Sequence, residues 1–209
     1  VGARILVTPS WRGHQEEIRR VRALHDGGLT VEIDEPLSYK HLGEWWFHEA
    51  VHSPTDLRAA VALLDRNIII QGDESTLQPG NSYQFGAHMA AFFGGEMRVE
   101  NVELTRTGQA ANLGRYSSHW HNLSPGRSVD VMDKAYIRNN SIHDTFQRGV
   151  VVHGTDYATV MHNVAHRTKG HSFFTESGDE HFALFEHNLG VNAQPHPLLL
   201  DDDMDAACF

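Results

Sequence analysis

A short pattern recurs in the second half of this 209-residue chain at a spacing of about 23 residues: Asn140-Ser-Ile-His143, Asn163-Val-Ala-His166 and Asn188-Leu-Gly-Val191. A repeat of this length stacks equivalent side chains above one another when each repeat is one turn of a solenoid. The surrounding texture agrees. Short strand-like runs at Asn67–Gly72, Met97–Leu104, Ala135–Ile142, Gly149–His153, Ala158–Ala165, Ser172–Thr175 and Ala183–Leu189 are separated by Gly, Asp, Asn and Ser. An antiparallel sandwich would show hairpin signals every 8–12 residues instead. The expected fold class is therefore all-β, a right-handed single-stranded parallel β-helix with two strands per repeat and a longer turn between them. The recurrent Asn suits that fold, because its amide bonds to backbone and to the next Asn and tolerates a turn conformation.

Residues 1–62 have a different texture and are expected to form a separate β module, with 63–209 as the coils. Ala3–Thr8 and Leu29–Asp34 alternate as strands. The stretch from Gly13 to Arg22 suits either a short helix or a loop entering a strand, and the Ala-rich run around Ala59–Leu64 suits a helix. The chain begins with Val1-Gly2 in a strand-like run, without Met, so a segment of a longer protein is expected, with any signal or anchor outside it.

The formal net charge is −10, which disfavours nucleic acid as a partner, since phosphate affinity comes from Lys and Arg. No apolar run approaches the roughly 20 residues of a membrane span. The single cysteine, Cys208, makes no internal disulfide. Asn122-Leu-Ser124 and Asn139-Asn-Ser141 are glycosylation sequons, making Asn122 and Asn139 candidate acceptors. The acidic run Asp201–Asp205 lacks EF-hand spacing and reads as a solvated loop.

Several strings resemble one family. Gly114-Arg-Tyr-Ser-Ser-His-Trp-His121 resembles the Gly-Arg-Tyr-Pro-Ile-His-Phe-His signature of G8-domain proteins. Ser141-Ile-His-Asp-Thr-Phe-Gln-Arg-Gly-Val-Val-Val-His-Gly-Thr155, Gly170-His-Ser-Phe-Phe-Thr-Glu-Ser-Gly178 and His187-Asn-Leu-Gly190 resemble the coils that follow it. Tyr39-Lys-His-Leu-Gly-Glu44 and Leu64–Gly72 resemble the end of the G8 module and its junction with the helix. The family includes the transmembrane and cell-migration-inducing types of cell-surface hyaluronidase and the fibrocystin-like proteins. The resemblance implies a surface-exposed or extracellular protein that handles glycans, without requiring catalysis. Ser177 departs from the family pattern, standing where an acidic residue is expected.

Ten of the sixteen histidines fall between His119 and His196. In a strand, His119 and His121 face the same side and Trp120 the other. The pair can share a divalent metal, calcium or zinc, or flank a sugar. His153 ends a Val-Val-Val strand, and coil alignment sets it level with Thr175, beside Glu176; His171 opens the following strand pair. His121, His153, His171 and Glu176 are thus the candidate catalytic residues, with Glu176 as proton donor or acceptor. A glycosidase wants a second carboxylate; Asp179, Glu180 and Asp144 are the nearby acids. Arg148, Arg167 and Trp120 are candidate substrate-binding residues, although an Arg here also pairs readily with an Asp such as Asp144. His143 and His166 read as a structural ladder, with His162 and His187 as a second, outward one. Two functions stay open: an enzyme cleaving an acidic polysaccharide such as hyaluronan, and a non-catalytic, fibrocystin-like module that binds extracellular protein partners. A structural metal site at His119 and His121 is a third.

Overall fold

The computed structural model describes residues 1–11, 13–48, 53–77, 84–123, 135–195, 198 and 205–209, and for 46–48 and 53–55 the backbone alone. Ser124 of the first sequon, His196 and residues 201–204 of the acidic loop lie outside the described residues. The chain divides into two compact units, Val1–Asp65 and Arg66–Phe209. No helix among the described residues is long and apolar enough to cross a membrane.

The first unit is antiparallel. Its strands are β1 (Arg4–Val7), β2 (Glu17–His25), β3 (Thr30–Ile33), β4 (Trp46–His48), β5 (Ser53–Thr55) and β6 (Val61–Leu63). One sheet runs β3-β2-β1-β6, and β4 pairs with β5. The Gly13–Arg22 stretch resolves as the entry to β2. The Ala-rich run resolves as β6, an edge strand paired with β1 through Leu6 and Ala62. Alternation decides this: Ala62 and Leu64 are buried while Val61 and Leu63 are exposed, a period of two rather than 3.6.

The buried carboxylate of Glu17 ties this unit together. It accepts hydrogen bonds from the Ser38 and Tyr39 amides and from His41 Nε2 at 2.8–3.0 Å, and it pairs with Arg19. Burial pushes its pKa up, but the two amides, His41 and the Arg19 charge outweigh that and hold it at about 2. Since the folded value lies below the ordinary one of 4.5, the stabilisation is complete above pH 4.5 and drains away as the pH falls toward about 2. Glu17→Gln is expected to cost about 1–3 kcal/mol at pH 7 and to flatten that acid dependence. Hydrogen exchange of the Ser38 and Tyr39 amides from pH 7 to pH 3 measures it; unchanged protection in the variant would contradict it.

The second unit is a parallel β-helix. After β7 (Ile68–Gln71), each coil carries three strands. They are β8 (Met89–Phe92), β9 (Met97–Glu100) and β10 (Val102–Thr105); β11 (Ser118–His121), β12 (Ala135–Arg138) and β13 (Ser141–His143); β14 (Val150–His153), β15 (Thr159–Met161) and β16 (Val164–His166); and β17 (Phe173–Thr175), β18 (Leu184–Glu186) and β19 (Leu189–Val191). They stack into three parallel sheets, β7-β10-β13-β16-β19, β8-β11-β14-β17 and β9-β12-β15-β18. Three strands per coil replace the two expected, because the Asn turn separates two short strands that read as one run in sequence. Within the Asn67–Gly72 run, Ile68 and Ile69 are exposed on the outermost strand of their sheet.

Inward-facing residues of all three sheets form one core, with Leu104, Trp120, Ile137, Ile142, Val150, Val152, Val160 and Ala165 fully buried. Each such aliphatic side chain contributes about 1.5–3 kcal/mol of burial. The Asn ladder lines one corner. Asn140 donates to Asn163 Oδ1 at 3.1 Å, and Asn163 to Asn188 Oδ1 at 3.0 Å. Their other amide hydrogens reach the carbonyls of Val99 and Ile137. Ser141 pairs with Val164, and Val164 with Leu189, spacings of 23 and 25 residues. One coil earlier Glu103 pairs with Ser141, 38 residues apart. The longer coil contains the segment between β10 and β11, and that segment helps to wall the site.

Candidate functional site

A cleft of about 310 Å³ opens on the face of the β8-β11-β14-β17 sheet, lined by Phe92, Leu113, Arg115, His119, His121, His153 and Glu176. Register builds it. His121 pairs with Phe92 on one side and His153 on the other. Val152 pairs with Thr175, so His153 stands level with Glu176 rather than with Thr175 as expected. That one-residue difference matters, because side chains alternate faces along a strand. It puts His153 and Glu176 on the same outward face, while Val152 joins the core.

Gly154 lets the chain leave β14. It has φ +52°, and a Cβ there would strike the Asn122 side-chain oxygen. Gly114, at φ +77°, turns its carbonyl toward the cleft, where it accepts from His119 Nδ1 at 3.0 Å. This bond assigns the His119 proton to Nδ1 and leaves Nε2 as a bare lone pair. Nε2 is buried without a hydrogen bond and lies 3.8 Å from Glu176 Oε2. Burial pushes the His119 pKa down to about 4, against the Gly114 bond, and the neighbouring His121, His153 and Arg148 add to the depression. The ring is therefore neutral at pH 7.

Glu176 is the hub. Its Oε2, also buried without a hydrogen bond, lies 3.5 Å from His153 Nδ1. The Tyr116 hydroxyl donates to Oε1 at 3.2 Å, and Arg148 Nη1 stands 3.9 Å from Oε1. Burial, and the adjacent Glu176, hold the Tyr116 hydroxyl in its protonated, donating form. The imidazoles of His119, His121 and His153 pack together, with centroids 5.2 Å apart for His119 and His121 and 4.6 Å for His121 and His153. Asn122 Nδ2 donates to His121 Nδ1 at 3.2 Å, which leaves Nε2 of that ring to carry the proton. Glu176 is the one carboxylate lining the cleft among the described residues. Glu180 is used elsewhere, accepting from the amides of Gly154, Ser177 and Gly178. Asp144 pairs with His143 and Arg167.

The expected site residues thus separate. His119, His121, His153 and Glu176 come together. His171 does not line this cleft: its ring stacks on Phe174, and it lines a different cavity with Phe173, Phe185 and Phe209. Trp120 is fully buried in the core, so its ring has no face to offer a sugar. Arg148 is fully buried too, its guanidinium packed over Phe174 at 4.2 Å and Tyr116 at 5.0 Å, which makes it a support for Glu176 rather than a contact for substrate. Arg167 bonds Asp144 at 2.6 Å at the end of a different sheet. One metal-capable group is His119, His153 and Glu176, with donor atoms all within 4.8 Å of one another. Asn122 and Asn139 occupy left-handed turn positions at φ +53° and +57°, their amides bonded to His121 and Glu100. Tyr116 was missed by sequence reasoning, although it stands in the same Gly-Arg-Tyr string that drew attention to His119 and His121.

The other histidines fall into ladders. His143 and His166 are in register and buried, with His143 bonded to both Glu103 and Asp144. His162 and His187 stack outside with centroids 5.1 Å apart.

Comparison with known proteins agrees with this architecture. A family model described as the CEMIP beta-helix matches residues 84–209. Fibrocystin-L of Mus musculus is 30% identical over a gapped alignment of 247 positions, covering the whole of this chain but 6% of that protein. A cell surface hyaluronidase of Danio rerio is 33% identical over 189 residues, covering 85% of this chain and 13% of its own length. A G8 domain-containing protein of Dictyostelium discoideum is 31% identical over 195 residues, 91% of this chain and 12% of that protein. The chain therefore spans a small part of each of these relatives.

Proposed function

The chain belongs to the CEMIP beta-helix family, and on that premise we propose that it handles an acidic polysaccharide such as hyaluronan in the His119–His121–His153–Glu176 cleft. The observation that carries this reading is convergence: four groups capable of proton transfer or ligand binding, drawn from three coils, meet in one open cleft. Glu176 and His153 are the proton-transfer pair, 3.5 Å apart. Phe92 and Leu113 supply apolar wall for a sugar face, and Arg115 a cation for a uronate carboxylate. Two relatives carry matching names, a cell surface hyaluronidase and a cell migration-inducing and hyaluronan-binding protein. The same names motivate a cell-surface or extracellular setting. The G8 domain-containing relatives motivate assigning residues 1–62 to the end of a G8 module.

Incubation of the intact chain with hyaluronan and other glycosaminoglycans, followed by sizing of the products, tests the enzymatic form of the proposal. Shortened chains are expected with hyaluronan. No shortening of any of them, with or without divalent metal, removes catalysis from the reading.

A second reading is a non-catalytic binding or adhesion module. That Glu176 is the one carboxylate in the cleft among the described residues favours it, since glycoside hydrolysis ordinarily uses two, and Ser177 stands where an acid was expected. It predicts saturable binding of hyaluronan or of a protein partner with no product at any enzyme concentration.

A further inference from the structure

Two of the lone pairs in the cleft need an electrophile. His119 Nε2 and Glu176 Oε2 are both buried, lack a hydrogen bond and face one another across 3.8 Å. Leaving a buried polar atom unsatisfied is costly, and two acceptors side by side repel in addition. His119 is only 2% exposed, and the Gly114 carbonyl locks its single proton on the far nitrogen. His153 Nδ1 completes a triangle with them, 3.5 Å from the same oxygen.

We propose that His119 Nε2, His153 Nδ1 and Glu176 Oε2 form a binding site for a divalent transition metal of the zinc class. A tetrahedral zinc with bonds of about 2.0–2.1 Å holds its donors roughly 3.3–3.4 Å apart. The two separations to Glu176 Oε2, 3.5 and 3.8 Å, need to close by only a fraction of an ångström, and all three donor atoms lie within 4.8 Å of one another. Two imidazole nitrogens and one carboxylate oxygen suit zinc, whereas calcium takes six to eight oxygen donors. The supporting bonds are those that metal ligands use. His119 donates its other ring proton to a carbonyl, and Glu176 accepts from Tyr116 through its other oxygen. A fourth ligand, a water or an oxygen of a bound molecule, would complete such a site. The site rests on donor geometry and not on the polysaccharide reading, although both use one cleft.

The test uses the full chain made without a histidine tag, stripped with chelator and reloaded with zinc or calcium alone. One tightly held zinc per chain after gel filtration is expected, and Co²⁺ in its place is expected to show the visible bands of tetrahedral coordination. His153→Ala and Glu176→Gln, both at partly exposed positions, are each expected to weaken zinc affinity by more than about 100-fold, and Tyr116→Phe by about 10-fold. His162→Ala, which removes a histidine of the outer ladder, is expected to leave it unchanged. Failure to retain zinc while circular dichroism shows the fold intact overturns the site. So does retention that survives loss of both His153 and Glu176, or stoichiometric calcium in place of zinc. Zinc held without any shortening of hyaluronan leaves the metal site standing and removes only the enzymatic reading.

Discussion

Asn163→Ala is expected to destabilise the β-helix by about 3–5 kcal/mol, more than an ordinary substitution of a polar residue. The side chain is almost wholly buried and works in four directions at once. Its Oδ1 accepts from the Asn140 backbone amide at 3.0 Å and from Asn140 Nδ2 at 3.1 Å. Its Nδ2 donates to Ile137 O at 2.8 Å and to Asn188 Oδ1 at 3.0 Å. Alanine strands buried partners on both adjacent coils, where water cannot replace it, so the desolvation cost of those groups is felt rather than the small net value of an exchanged hydrogen bond. Asn188, at the partly exposed end of the ladder, has solvent within reach, and Asn188→Ala is expected to cost about 1–2 kcal/mol. Urea melts of the two variants measure the difference. Equal losses, or a loss below about 1 kcal/mol for Asn163→Ala, would show that the ladder carries no cooperative load.

On the proposed enzymatic reading, Glu176→Gln is expected to lower the rate of hyaluronan depolymerisation by about 10²–10⁴-fold, the range for loss of a proton-transfer group, while thermal stability of the metal-free protein stays within the error of the melt. Rate and stability separate here because glutamine has the same shape and keeps an acceptor for the Tyr116 hydroxyl, and because Oε2 makes no hydrogen bond to lose. His153→Ala is expected to have a similar effect on rate. Arg148→Leu is expected to behave differently. Its guanidinium packs between two aromatic rings beneath the cleft, so both stability and rate should fall. Product sizing against time, with a melt of each variant, tests the set. Full activity in Glu176→Gln would rule the residue out as the acid–base group.

The structural ladders and the functional cleft differ in how they are written into the chain. Asn140, Asn163 and Asn188 recur because stacked amides satisfy one another at a fixed coil length, and a repeated physical solution leaves a repeated string. His143 and His166 carry the same signal. The cleft lies where that regularity breaks, on a sheet fed by the longer coil and at the ends of β11, β14 and β17. His119 and His121 were visible as a pair at strand spacing. Glu176 was visible only as an acid near a histidine, and its level relative to His153 turned on one residue of register. Tyr116 and Arg148, which hold the Glu176 carboxylate, carry no repeat at all.

Sequence by itself determined the solenoid and the family to which it belongs. These follow from period, composition and local strings, all of which depend on neighbours in the chain. Tertiary structure decided which side chains face outward together. Parallel register brings His121, His153 and Glu176 to one face, sends Trp120 and Val152 inward, and gives Arg148 to the aromatic packing and Arg167 to Asp144. The reason is that strand side chains alternate with a period of two, so an uncertainty of one residue in pairing, which no local pattern resolves, exchanges core for cleft.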